Sequence, residues 1–331
     1  IIAQRGVPES HDRDRTHHLD WYGAIACTAG LGLLAYGLTF TSTLWSVAGL
    51  VLLAAFVAIE ARSPSALVPL ALFRSATFSG VNALTFLLYG ALGAALYFLP
   101  FEMIQVDGYT PTAAGFAFLP FIALIFVLSP IAGGLMRTIG ARILLVVGTL
   151  IAGAGFALLG LAGGHGDYWT AYLPAIITVG FGMSCVVAPL TTTAIDAVDA
   201  DHMGVASGVN NAVSRVAGML AIAGLGALVL AVFSHGLPAR LAAVGVPHSV
   251  SAVVLNNSAE LAEDVPPPGS DAAMRAQVRG AVDGAYLAAY RLAMFVCAGF
   301  AAGGALVGGI TVASRPRRDA AAPAVVGTAA N

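Results

Sequence analysis

Two stretches of the chain place residues where they could do chemistry. In "ESHDRDRTHHLD", Glu9 to Asp20, the imidazoles of His11, His17 and His18 stand beside the carboxylates of Asp12 and Asp14, a set that could in principle ligate a metal. No two of these histidines have the four-residue HxxxH offset that puts both on one helix face, so the pattern fits a solvated linker and no metal is expected. In "GVASGVNNAVSRVAG", Gly204 to Gly218, two serines, two asparagines and an arginine open a run that is otherwise apolar as far as Phe233. Advancing 100° per residue, Gly204, Gly208, Asn211, Arg215 and Gly218 fall on one narrow face, with Ser207 and Ser214 at its edge. A face of this kind turns to protein or water, because an arginine near mid-membrane costs ~3 kcal/mol even on the mildest scale.

The elements that carry these groups follow from composition. The chain is 58% hydrophobic and 10% charged, against about 25% charged in a soluble domain, so most of it cannot be solvated by water. Apolar runs long enough to cross a ~30 Å hydrocarbon core recur at about 21-40, 44-60, 78-101, 113-136, 143-163, 171-191, 205-232 and 285-313. Their Leu, Ala, Val and Gly content at this length predicts helices rather than barrel strands. The fold class is therefore all-α and integral to the lipid bilayer. Every basic side chain is an arginine, net charge is -2, and no basic patch forms, which excludes nucleic acid as a partner.

Arginine placement gives the orientation. With both ends cytoplasmic, Arg5, Arg13, Arg15, Arg62, Arg74, Arg137, Arg142, Arg315, Arg317 and Arg318 lie inside, and only Arg240, Arg275 and Arg279 lie outside. Arg215 and Arg291 remain within spans. Segment 234-283 is then an external loop with short amphipathic helices such as 271-282, and 314-331 a disordered cytoplasmic tail. Cys27, Cys185 and Cys297 are dispersed in apolar runs and suggest neither disulfide nor metal. No HExxH, GxSxG or intramembrane acid pair occurs, so an enzyme is not expected, and no cofactor is implied.

Other candidates sit on neighbouring spans. Asn82, Phe86, Tyr89 and Gly93 share a face of the 78-101 run, with Tyr97 near its outer end, and Phe116, Phe118 and Phe121 could stack on a lipophilic compound. All 17 acidic residues fall outside the spans or at their ends, as Glu60 and Glu102 do. Arg215 therefore has three kinds of partner open to it: a carboxylate elsewhere in a longer protein, backbone carbonyls, or an anionic substrate. A structural role, bonded to carbonyls or to Asn211 one turn away, is equally open.

The turn "SPIAGGLMRTIGAR", residues 129 to 142, resembles the cytoplasmic G-x-L-x-D-R-x-G-x-R motif of the major facilitator superfamily. Gly133, Leu135, Gly140 and Arg142 match; Arg137 stands at the Asp position and Thr138 at the Arg position. The loop's usual charge relay is thus altered, and Arg137 and Arg142 also fit a simple positive-inside anchor. Within that superfamily the chain is similar to the fourteen-helix drug:proton antiporter branch, on "VPES" at Val7 to Ser10, "QVDGYTPTAAGFAFLP" at Gln105 to Pro120, the Gly180, Gly182 and Pro189 helix, and "GVASGVNNAVSRVAG".

That resemblance implies a bacterial plasma-membrane exporter and a fragment carrying helices 7 to 14. The domains it implies are a cytoplasmic loop (1-20), a linker helix pair with its loop (21-77), a C-terminal six-helix half (78-313) and the tail. Six N-terminal helices of the same protein would be the missing partner. Substrate contacts are implied at Asn82, Tyr89, Phe121, Asn211 and Arg215, and gating at Gly133, Arg137, Gly140, Arg142, Gly208 and Gly218. Members that export lipophilic cations often carry acids in the helix matching 205-232. Here Asn and Arg occupy it, so a neutral or anionic small molecule is favoured and the proton carrier is expected in the absent half. An uptake or metabolite carrier, and a non-transporting membrane protein such as a sensor, remain the alternatives.

Overall fold

The computed structural model describes residues 20–63, 68–164, 167–256 and 271–313, and these are helical with short connections. The expected regions at 1-19 and 314-331, with the histidine-rich stretch, lie outside the described residues. Eight helical segments are long and apolar enough to cross a membrane, matching the eight runs read from sequence. We number the helices α1 (Trp21–Thr39), α2 (Thr43–Glu60), α3 (Ala76–Gln105), α4 (Pro111–Phe116), α5 (Leu119–Ile139), α6 (Ala141–Ala162), α7 (Leu173–Asp196), α8 (Met203–Ala243), α9 (His248–Asn256) and α10 (Ala272–Thr311). A single span comprises α4 and α5, and a π turn at Tyr168–Tyr172 leads into α7.

Local chemistry sets several starts. The Asp20 carboxylate accepts the Gly23 N–H at 2.8 Å, Ser75 accepts from Phe78 at 3.3 Å, Thr110 accepts from Ala113 at 3.2 Å with Pro111 following, and Asp271 accepts from Met274 at 2.7 Å. Each satisfies one of the N–H groups a helix start leaves unpaired. Between α5 and α6 the chain reverses at Gly140, whose φ of 85° and ψ of 152° lie in a region essentially reserved for glycine.

Helices α3, α5, α6, α7, α8 and α10 form one bundle: α6 packs on α7 and α10, α3 on α8 and α10, and α5 on α7. The α1/α2 pair lies to one side and touches α8. Small residues set the approach distances, since between helices in lipid packing replaces the hydrophobic drive. A Cβ on Gly182 would stand 2.4 Å from the Ala152 nitrogen, and one on Gly93 would stand 2.8 Å from the Gly218 Cα. The outward faces carry Trp21, Tyr22, Phe126, Leu306 and Ile310, all more than half exposed, as a lipid-facing surface requires.

Residues 271-282 are not a separate amphipathic helix but the first turns of α10, and α8 likewise continues to Ala243. At ~1.5 Å per residue, the 41 residues of α8 and 40 of α10 far exceed a bilayer core. Their extensions pack together because Leu237, Leu241, Val278 and Val282 are buried between them, with Val254 of α9 added.

Candidate functional site

The bundle has two ends, one bearing the Gly140 turn and one opposite it. Near the Gly140 end, α3 and α8 share a buried polar cluster. Asn82, expected on a cavity wall, is buried; its amide donates to the Phe78 carbonyl at 2.9 Å and its oxygen accepts from Asn210 at 3.2 Å. Asn210 also donates to the Thr85 hydroxyl at 2.8 Å, which itself donates to the Val81 carbonyl.

The neighbouring residue behaves oppositely. Asn211 is exposed and its amide returns to the Ser207 carbonyl of its own helix at 3.2 Å; Arg215, one turn on, is exposed as well. Gly204 and Gly208 have nothing within 4 Å of a Cβ position. Gly218 instead meets α3 at Gly93. The polar face read from the sequence is thus a surface stripe of the described bundle over 204–215 that turns into a helix contact at 218.

Elsewhere, Tyr89 is half-buried on α3, and Phe121 is buried and lines an apolar crevice with Leu92, Phe156, Ile176 and Val179, which Tyr89 does not join. Gly133 faces Ala188 of α7 at an ordinary 3.5 Å, Arg137 is exposed at the end of α5, and Arg142 is half-buried at the start of α6.

At the opposite end lies a cluster assembled from residues far apart in the sequence. Glu102, which the apolar runs place at the margin of a span, is inside α3 and has no exposed surface. Its Oε1 accepts the Gly164 N–H at 3.0 Å and its Oε2 lies 2.6 Å from the Tyr172 hydroxyl, which also contacts Asp107 Oδ2. The Arg291 guanidinium donates to the Gly163 carbonyl at 2.9 Å. Tyr109 sets its ring edge-on to Tyr172 at 6.4 Å, and burial first, then the carboxylates of Asp107 and Asp167, hold its hydroxyl above its ordinary pKa. One signal was present in the sequence, an acid two residues past Pro100 in a span with no other charge. Its partners lie 62 and 70 residues away, beyond any local pattern.

Among the described residues no group of three His, Cys, Asp or Glu could hold a metal. What the arrangement offers is a polar stripe on a membrane helix and a buried carboxylate at one end of the bundle.

Comparison with known proteins points the same way. Residues 21–222 match the family model of the Major Facilitator Superfamily. The chain is 30% identical over 248 residues to the multidrug resistance protein Stp of Mycobacterium tuberculosis, covering 70% of this chain and 45% of that protein. Over 236 residues it is 33% identical to the cephamycin export protein CmcT of Amycolatopsis lactamdurans, covering 68% and 48%. Over 259 residues it is 29% identical to the tetracenomycin C resistance and export protein of Streptomyces glaucescens, covering 75% and 47%. The chain spans about half the length of these relatives. With a family match over more than half of its residues and an all-helical fold of eight apolar spans, the chain belongs to the major facilitator superfamily, a family of multi-pass membrane transporters rather than enzymes.

Proposed function

We propose that this chain is part of an exporter of small lipophilic compounds, driven by a proton gradient across a bacterial plasma membrane. Relatives named for drug resistance and antibiotic export support the direction of transport. The observation that carries the reading is the exposed stripe Gly204, Gly208, Asn211 and Arg215 on a helix that is apolar from Val216 to Phe233. Such a stripe is costly against lipid and fits a second helical half, or an aqueous path between two halves. We infer that six further helices of the same protein cover it, that residues 78-313 form one of two halves working by alternating access, and that both ends of the chain are cytoplasmic, as the arginine distribution favours.

Arg215 gives the site a fixed positive charge and no acid lies on that stripe, so neutral or anionic compounds suit it better than lipophilic cations. The test is transport in proteoliposomes holding the full-length protein. Under an imposed pH gradient, accumulation of a fluorescent anionic or neutral dye is expected. No movement of any dye in the panel under that gradient would remove proton-driven export.

A further inference from the structure

The Glu102 cluster can be read by counting protons. The Tyr172 hydroxyl lies at hydrogen-bonding distance from two carboxyl oxygens, Oε2 of Glu102 and Oδ2 of Asp107. A phenol has one proton and can donate to only one of them. Two ionised carboxylates facing that single donor would leave one oxygen pair with no hydrogen between them, inside a protein where such a contact is repulsive. The second hydrogen must therefore sit on a carboxyl group, which donates to the hydroxyl while the hydroxyl donates to the other. The Gly164 N–H already engages the remaining oxygen of Glu102, so the shared proton belongs on the Glu102–Tyr172–Asp107 line.

A second observation is independent of the acids. Tyr286 and Tyr290, one turn apart on α10, are fully buried, and neither hydroxyl has a hydrogen-bond partner among the described residues. A Cβ on Gly163 would stand 3.1 Å from the Tyr290 ring and 3.2 Å from Glu102 Oε1, and the Tyr286 ring lies 5.7 Å from that of Phe101, the residue before Glu102. Buried hydroxyls are normally satisfied. Two unsatisfied ones beside a carboxylate supply further proton donors and acceptors next to Glu102. At the other side, Asp107 is only half-buried on the 106–110 link, which gives the cluster an opening at the bundle end.

We propose that Glu102, Tyr172 and Asp107 form a proton-binding site, reached through Asp107 from the bundle end opposite the Gly140 turn and flanked by the buried hydroxyls of Tyr286 and Tyr290. This places a titratable site in the present chain, where the sequence led us to expect the carrier elsewhere. The charged and titratable groups around it are Tyr109 on the same link, Asp167 and Tyr168 at the start of the facing turn, Arg291 on α10, tethered to the Gly163 carbonyl, and the two α10 tyrosines. Losing the proton would leave two carboxylates competing for one hydroxyl and loosen the link between α3 and the Tyr168–Tyr172 turn, so occupancy is coupled to how these helix ends pack. Use of the site in transport rests on the proton-driven reading above; proton binding itself does not.

The experiment is infrared difference spectroscopy of the purified full-length protein across a pH titration, following the carbonyl stretch of protonated carboxyl groups. Wild type is expected to show a band that disappears on alkalinisation. Glu102→Gln and Asp107→Asn should each lose it, because an amide N–H supplies the second hydrogen and no shared proton is needed. Tyr172→Phe, which deletes the bridge, should shift the titration midpoint. Should Glu102→Gln fail to fold, Asp107→Asn carries the test. A carboxyl band that titrates identically in wild type and Asp107→Asn, or its absence from wild type, overturns the proposal. A band that titrates as expected in a protein that moves no dye under a pH gradient removes the transport reading and leaves the site.

Discussion

The side-chain amide of Asn210 donates to Asn82 at 3.2 Å across the contact between α8 and α3, with the Thr85 hydroxyl 2.8 Å from the same nitrogen. This buried bond fixes the rotation of α8 and thereby sends the next residue, Asn211, outward. One asparagine holds the helices in register and its neighbour is free to meet something else.

Asn210→Leu should therefore be destabilising. It leaves the Asn82 oxygen unpaired and buried, at a cost of ~1–3 kcal/mol, to be read as a lower thermal midpoint of the detergent-solubilised protein. Asn211→Ala, which removes only a bond to its own helix, should stay within about 0.5 kcal/mol of wild type.

The Gly93 and Gly218 contact makes an asymmetric prediction. A Cβ on Gly93 would lie 2.8 Å from backbone of α8, whereas one on Gly218 would meet nothing closer than 3.9 Å. Gly93→Ala should cost ~1–3 kcal/mol by forcing the helices apart, and Gly218→Ala should be tolerated in stability. Equal thermal midpoints for the two variants would contradict this packing.

Gly140 turns the chain between α5 and α6 with φ 85° and ψ 152°. Gly140→Ala should lower stability by on the order of 1–3 kcal/mol, seen as reduced folded yield in size-exclusion profiles. Arg137→Ala, exposed one turn earlier, should leave that profile unchanged.

Arg215 is exposed on the α8 stripe. Arg215→Ala in the full-length protein is expected to fold to wild-type yield and to lose most dye transport, while Arg291→Ala, whose guanidinium holds the Gly163 carbonyl, should lower the thermal midpoint. Loss of folded protein on Arg215→Ala would show that the residue is structural.

Hydrophobic run length and end chemistry are local properties, so the sequence by itself determined that the chain crosses the bilayer in eight helices, and it supplied the caps at Ser75, Thr110 and Asp271 that start three of them. Helical periodicity also gathered Gly204, Gly208, Asn211 and Arg215 onto one stripe. It could not say which of two adjacent asparagines faces inward, since 100° separates them and the packing of α3 chooses. Nor could it show that α8 and α10 continue past the membrane, because that depends on Leu237 and Leu241 burying against Val278 and Val282 across the bundle. Glu102 carries the same lesson. Its environment is assembled from Asp107, Gly164, Tyr172 and Arg291 on separate elements, and only the closing of α3, α6, α7 and α10 around it turns an acid near the end of an apolar run into a buried, hydrogen-bonded carboxyl group.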